Sequence, residues 1–280
     1  MKRALKSAAS RLGVLAPARA AYGTLRTAAP GVLLGELRNR LGGAPDGLPL
    51  PPPRLIYLVI GTPWSEVYLR SGRLVADAMR RHLASAGVDP GVFRTALDFG
   101  CGCGRLLRQV RALTPARLHG CDYNPSLAGW CAAHYPWASF TVNRLAPPLE
   151  YAPGSMDFVY ARSVFTHLDE PLQAAWAREL HRVLSPGGVL YFTTHGSRVA
   201  ARLSPAEQGE FSRGRLVVQR SAREGSNLCS AFHPEDYVRG ELLAGFEPLL
   251  HAGAGGGEHD LQDVWVARKA GSLDNFAGKR

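Results

Sequence analysis

From about residue 92 onward, short apolar runs alternate with longer stretches whose apolar residues recur at helical spacing. That rhythm predicts strands separated by helices, and hence a mostly parallel sheet. Strands are expected near 94–99, 117–121, 140–142, 156–160 and 189–194. Helices are expected near 103–113, from Pro125, and over 170–184, where Leu172, Trp176, Leu180 and Leu184 share one face. Phe246 to His251 and Gln262 to Arg268 read as a closing hairpin. Upstream, Leu55 to Ile60 is an apolar run ending at Gly61, Thr62-Pro63 offers a helix start, and Leu74, Val75, Ala78, Met79 and Leu83 form a helical stripe. One stretch breaks the alternation: residues 196–232, which bear Arg198, Arg202, Arg213, Arg215, Arg220 and Arg223. Segments this long without a clear pattern are commonly lids or binding elements. His233-Pro234-Glu235-Asp236 then opens another helix, with acids in its first turn.

The chemistry concentrates where the first strand ends, at Leu97-Asp98-Phe99-Gly100-Cys101-Gly102-Cys103-Gly104-Arg105. Glycines allow a turn that a Cβ would oppose, let a ligand approach the backbone, and lead into a helix whose first N–H groups are free. The spacing is Gly-x-Gly-x-Gly, not the Gly-x-Gly-x-x-Gly of dinucleotide binders, because position 105 is Arg. An acid facing the ligand, Asp98, suits an ammonium better than a pyrophosphate. Cys101 and Cys103 read as small residues that fit a tight turn. Asp122 follows Asp98 by 24 residues and Gly104 by 18, the distance at which an acid ends the second strand and accepts from ribose hydroxyls. Asp122 as cap of the helix opening at Pro125 is the structural alternative.

With these residues the chain resembles the class I S-adenosylmethionine-dependent methyltransferases. Asp98, Gly100, Gly102 and Gly104 resemble their first motif, and the likeness continues at Cys121-Asp122-Tyr123-Asn124-Pro125, at Met156-Asp157-Phe158-Val159-Tyr160 and at Leu184-Ser185-Pro186-Gly187-Gly188-Val189-Leu190, over roughly 92–268. The resemblance implies a doubly wound, seven-stranded, mostly parallel α/β sheet and S-adenosyl-L-methionine as cofactor, held by Asp98, Gly100, Cys101, Gly102, Gly104, Asp122, Tyr123, Asn143, Arg144, Leu145, Arg162 and Ser163. The family often has an acid where Asn143 stands, meeting the adenine amino group; Asn143 departs from this but can accept through its carbonyl. Groups just before the first strand can touch the methionine end in the family, which raises Tyr68 and Gly72, although Tyr68 reads better as plain packing.

The resemblance implies transfer of a methyl to an oxygen or nitrogen of a small-molecule or sugar-type acceptor. Such a reaction needs an in-line approach, exclusion of water and sometimes a base. His195, directly after the fifth strand, is the first candidate base, followed by His167 and His233, then Glu258 and His259. Amino-methylating nucleic-acid enzymes of this class carry Asn/Asp-Pro-Pro-aromatic where this chain has Ala161-Arg162-Ser163-Val164, and no Pro-Cys nucleophile pair exists, which argues against nucleic acid. Two other readings stay open: a non-catalytic cofactor-fold module docking a partner or membrane, and an RNA methyltransferase using basic residues as phosphate contacts.

Charge adds one feature. Of a formal +10, residues 1–40 supply +7 through Lys2, Arg3, Lys6, Arg11, Arg19, Arg26, Arg38 and Arg40 against Glu36 alone. That arm reads as a solvated or partner-facing helix, or as a membrane-surface helix, a nucleic-acid contact or a transit peptide. Pro49, Pro51, Pro52 and Pro53 read as a stiff linker. The expected organisation is a basic arm with linker (1–53), a helical cap (54–90) and the cofactor-binding domain (91–270) with a substrate or lid insertion (196–232). The 280 residues are 46% hydrophobic and 20% charged, as in globular proteins. Five cysteines without Cys-x-x-Cys fit reduced thiols and no metal site, and with no secretory h-region they suggest the cytoplasm. The oligomeric state has no signature.

Overall fold

The computed structural model describes residues 30–220, 229–254 and 261–270. The chain divides into two compact units, 1–73 and 74–280. The first contains α1 (Pro30–Gly42), α2 (Pro53–Ile60) and the start of α3 (Ser65–Ser85), which runs across the division. The apolar run after the prolines is helical because Pro53 fills the first helical turn, where its missing N–H costs nothing. Gly61 ends α2 in the left-handed region, φ 70°, its N–H returning to the Tyr57 carbonyl. The next helix starts at Ser65 rather than at Thr62-Pro63. Glu36 of α1 takes both the Ser65 N–H and its hydroxyl at 2.6 Å, so a carboxylate from another helix caps α3.

The second unit is built on a seven-stranded sheet of order β3-β2-β1-β4-β5-β9-β8. Its strands are β1 (Thr95–Phe99), β2 (Arg117–Asp122), β3 (Ala138–Val142), β4 (Met156–Ala161), β5 (Leu184–Thr194), β8 (Phe246–Ala252) and β9 (Asp263–Lys269). The first five are parallel, and β9 enters antiparallel between β5 and β8. Residues alternate in the strands between two cores. Leu97, Phe99, Val159, Ala161, Leu190 and Phe192 pack with Trp176 and Leu180 of a helix on one side, α6 (Glu170–Val183). Ala96, Phe158, Tyr160, Val189 and Tyr191 pack on the other with Met79, Leu83, Leu106 and Leu107. Helices on both faces of a parallel sheet make the expected doubly wound architecture.

The remaining helices are α4 (Leu107–Val110), one turn after the glycine loop and shorter than expected, and α5 (Pro125–His134). β5 is longer than expected, because Pro186-Gly187-Gly188 stays within the strand. The arginine-bearing insertion is also not a bare loop. It holds α7 (Ser197–Ala200), α8 (Pro205–Ser212) with a Ser204–Glu207 capping box, and an antiparallel pair, β6 (Val217–Arg220) with β7 (Cys229–Phe232). Val199, Ala200, Leu203, Val217 and Phe232 give it a small core of its own. A short helix, α9 (Glu235–Tyr237), and a wider helical turn over 238–242 lead to β8.

Candidate active site

The carboxyl ends of β1, β2 and β3 lie side by side, and backbone groups join them. After Phe99 the chain takes left-handed φ at Gly100 (77°), Gly102 (56°) and Gly104 (77°). The Gly100 and Cys101 N–H groups both donate to the Cys121 carbonyl, at 2.8 and 2.9 Å. A Cβ at Gly100 would stand 2.5 Å from Val164, and one at Gly104 2.6 Å from the Tyr135 ring. Asp122 receives the Gly102 N–H on one oxygen and the Asn124 N–H on the other, each at 2.8 Å. Burial raises its pKa, against the pull of those two N–H groups. Each oxygen keeps a lone pair for a further donor. The capping role belongs instead to Asn124, whose side chain accepts from Ser126 N–H at 3.0 Å and opens α5. Tyr123, next to Asp122, is exposed.

Asn143 follows β3. Its N–H donates to the Asp122 carbonyl at 3.2 Å and its amide NH₂ to the Arg144 carbonyl at 2.7 Å. That second bond fixes the amide's orientation and leaves Oδ1 buried with no hydrogen-bond partner. Arg144 and Leu145 are exposed; the Leu145 carbonyl is held by the Trp176 indole N–H at 2.9 Å. Asp98 is buried beneath the loop. Desolvation pushes its carboxyl up to about 8, with the Arg105 guanidinium opposing the rise and the Tyr160 hydroxyl beside it. One of its oxygens, Oδ2, is buried without a partner. Burial thus works against the ionised form of Asp98 that a bound ammonium would favour.

The carboxyl ends of β4 and β5 are joined through side chains. Ser163, just past β4, holds φ 60°, the one positive φ at a non-glycine among the described residues. Its N–H donates to Thr193 Oγ1 at 2.9 Å, and its hydroxyl to Gln262 Oε1 at 2.9 Å. Thr193 donates to the same Gln262 oxygen at 2.6 Å. The Arg162 guanidinium reaches Ser163 Oγ (2.8 Å), Thr193 Oγ1 (3.2 Å) and Gln262 Oε1. The Gln262 NH₂ faces His195 Nε2 at 3.3 Å.

His195 and His167 are both held by β7. His195 Nδ1 lies 3.1 Å from the Ala231 carbonyl and His167 Nδ1 2.8 Å from the Cys229 carbonyl. A carbonyl only accepts, so each ring carries its proton on Nδ1 and its lone pair on Nε2. Burial, with His167 nearby, pulls His195 down to about 4, against the Ala231 carbonyl; burial lowers His167 as well. His233 donates its backbone N–H to the His195 carbonyl at 2.8 Å. Its ring lies wholly inside the protein, 1% exposed, with Nε2 3.1 Å from Gln173 Oε1 and its pKa down at about 3. The backbone bond ties the end of β7 to the end of β5; the ring donates from Nε2, and its lone pair on Nδ1 is buried without a partner, away from any acceptor. Glu258 and His259 lie outside the described residues.

Thr193, Gln262 and the β7 carbonyls were not legible as site groups. Two threonines inside the apolar β5, both fully buried, were the one available signal. Gln262 had none, since its partners lie 67–100 residues away.

Residues 97–192 match the model of a methyltransferase domain family. The malonyl-[acyl-carrier protein] O-methyltransferase of Hahella chejuensis is 32% identical over 119 residues, which cover 40% of this chain and 40% of that protein's length. An O-methyltransferase family protein from Burkholderia thailandensis has the same fold, with TM-score 0.53, 18% identity, and coverage of 74% of this chain and 58% of that one. So has the 1,6-didemethyltoxoflavin-N1-methyltransferase of Burkholderia thailandensis, solved with 1,6-didemethyltoxoflavin and S-adenosylhomocysteine, with TM-score 0.50 and 18% identity over 87% and 91% of the two chains. Motif order, strand order and the domain match agree: residues 97–192 match a methyltransferase domain, and the seven-stranded sheet has the fold of the class I S-adenosylmethionine-dependent methyltransferases.

Proposed function

We propose that this chain moves a methyl group from S-adenosylmethionine to an oxygen or nitrogen of a small-molecule or sugar-type acceptor. One observation carries the reading: the Asp122 carboxylate ties down Gly102, and the unpartnered Asn143 carbonyl sits one strand away. Those groups fit a nucleoside. Asp122 has lone pairs for ribose hydroxyls, and Asn143 Oδ1 needs a donor such as the adenine amino group. Asp98, with its own unpartnered oxygen, fits the cofactor's ammonium. Gly100, Cys101 and Gly104 shape the loop; Tyr123, Arg144 and Leu145 border the adenosine, and Arg162 and Ser163 the methionine end.

The bound cofactor supplies an activated methyl on a sulfonium. The residues past β4 and β5 then hold an acceptor and, where needed, take its proton. His195 is placed for this, because its Nε2 lone pair faces an amide NH₂ that an acceptor can displace. The rigid hold of β7 on His195 and His167 supports a role for the 196–232 insertion in choosing the acceptor. Of the three similar proteins named above, one is an O-methyltransferase, one an O-methyltransferase family protein and one an N-methyltransferase, which keeps both acceptor atoms within the proposal. Calorimetry with S-adenosylmethionine and S-adenosylhomocysteine tests the cofactor half: saturable binding of both is expected, and no binding by folded protein refutes it. Incubation of extract with methyl-labelled cofactor, read by mass spectrometry, identifies the acceptor class.

A further inference from the structure

α1 is packed with its polar face inward. Glu36 and Asn39 are buried, at 5% and 2% exposure, on Ser65 and Glu66, and a Cβ at Gly35 would stand 2.7 Å from the Glu66 side chain. The leucines face solvent: Leu33 is 46% exposed, Leu34 73%, Leu37 56% and Leu41 82%. Leu34, Leu37 and Leu41 follow the i, i+3, i+7 spacing of one helical stripe. A helix that hides its carboxylate and displays its leucines is built for an apolar surface outside the protein. In the same unit α2 also exposes Tyr57 and Leu58.

The charge says which surface. The 40 residues ending in this helix hold eight Lys and Arg against Glu36 alone. The exposed Arg38 and Arg40 use their guanidinium groups on Glu66 and Glu36, beside the leucines. A second copy of the chain would bring two such cationic segments together. Nucleic acid would take the charge but leave the leucines in water. An anionic bilayer takes both, with leucines in the acyl boundary and basic side chains at the headgroups. No helix among the described residues is long and apolar enough to cross a membrane. We propose that α1 docks the protein on an anionic lipid surface, drawn there by the net positive charge of residues 1–40. The proposal is independent of the acceptor's identity.

The test is flotation of the full-length protein with phosphatidylcholine vesicles, with and without phosphatidylglycerol. Binding is expected only with phosphatidylglycerol, and it should weaken as salt rises. The variant Leu34→Glu, Leu37→Glu, Leu41→Glu should bind roughly tenfold or more weakly while keeping the wild-type circular dichroism melt and S-adenosylhomocysteine affinity. Lys2→Glu, Arg3→Glu, Lys6→Glu should lose the preference for phosphatidylglycerol. Failure of the wild type to float with phosphatidylglycerol vesicles overturns the proposal, as does undiminished flotation of the leucine variant. A wild-type dimer that the leucine variant dissolves, without flotation, overturns it in favour of a second copy.

Discussion

The two halves of the site are held together by different means. At the ends of β1 to β3 the joints are backbone groups on a carboxylate or a carbonyl, between residues about one strand-helix unit apart: Gly102 to Asp122, Asn143 to Asp122. At the ends of β4, β5, β7 and β9 the joints are side chains meeting across 30 to 100 residues: Ser163, Thr193, Gln262 and His195, pinned by carbonyls of the insertion. The first half is a backbone shape that a few residue types impose. The second is a network in which each side chain depends on elements remote in the chain. A conserved reaction with a variable acceptor would be built in this way, with one fixed edge and one edge open to replacement.

Breaking the side-chain half should cost most in rate. His195→Ala is expected to lower turnover roughly 10²–10⁴-fold with S-adenosylhomocysteine affinity almost unchanged; near-wild-type turnover would shift the base role to His167. Because burial holds His195 near 4, the rate should show no inflection at the ordinary imidazole pKa of 6.5 and should fall only as pH approaches 4.

The same burial makes this half sensitive to acid. A histidine whose folded pKa is lowered contributes stability above its unfolded pKa, and that stability is lost as pH falls toward the folded value. For His233, held at about 3 against an ordinary 6.5, the loss by pH 4 is on the order of 3 kcal/mol. Hydrogen exchange should show β7 amides opening between pH 6.5 and 4 before those of β2. Simultaneous opening would mean the two halves form one cooperative unit.

The backbone half should break through affinity. Gly102→Val needs a left-handed φ of 56° from a β-branched residue and should weaken S-adenosylhomocysteine binding roughly 100-fold or more; wild-type affinity would place the cofactor elsewhere. Asp122→Ala should cost about 1–3 kcal/mol of affinity, since ribose hydroxyls and the Gly102 N–H lose one acceptor. Its failure to do so would leave Asp122 a purely structural tie.

The smallest effect concerns a proton. Burial raises the Asp98 carboxyl to about 8 in the free protein, and an ammonium set against it would pull the pKa down. Cofactor binding at pH 7 should then release up to about one proton, seen as a binding enthalpy that depends on the buffer's ionisation heat. Asp98→Asn should abolish that dependence. A buffer-independent enthalpy in the wild type would move the ammonium away from Asp98.

The comparison also explains what could be read in advance. The glycine loop, Asp122 and Asn143 were legible because left-handed φ, a close backbone approach and an acceptor at a strand end each restrict residue type at a fixed spacing. The alternation of strands and helices was legible because two-sided burial leaves a periodic trace. Errors arose where a distant group intervened. The start of α3 was set by Glu36 rather than by Thr62-Pro63.

By itself, then, the sequence determined the doubly wound sheet, the glycine turn and the acid at the end of β2, because those follow from local backbone sterics and from periodic burial. Only the tertiary structure decided that Gln262 faces His195, that β7 fixes two imidazole tautomers, that His233 is sealed in the core, and that α1 turns its leucines outward. Those outcomes depend on which surfaces meet across the fold, and desolvation and side-chain pairing between remote segments leave no spacing in the chain to read.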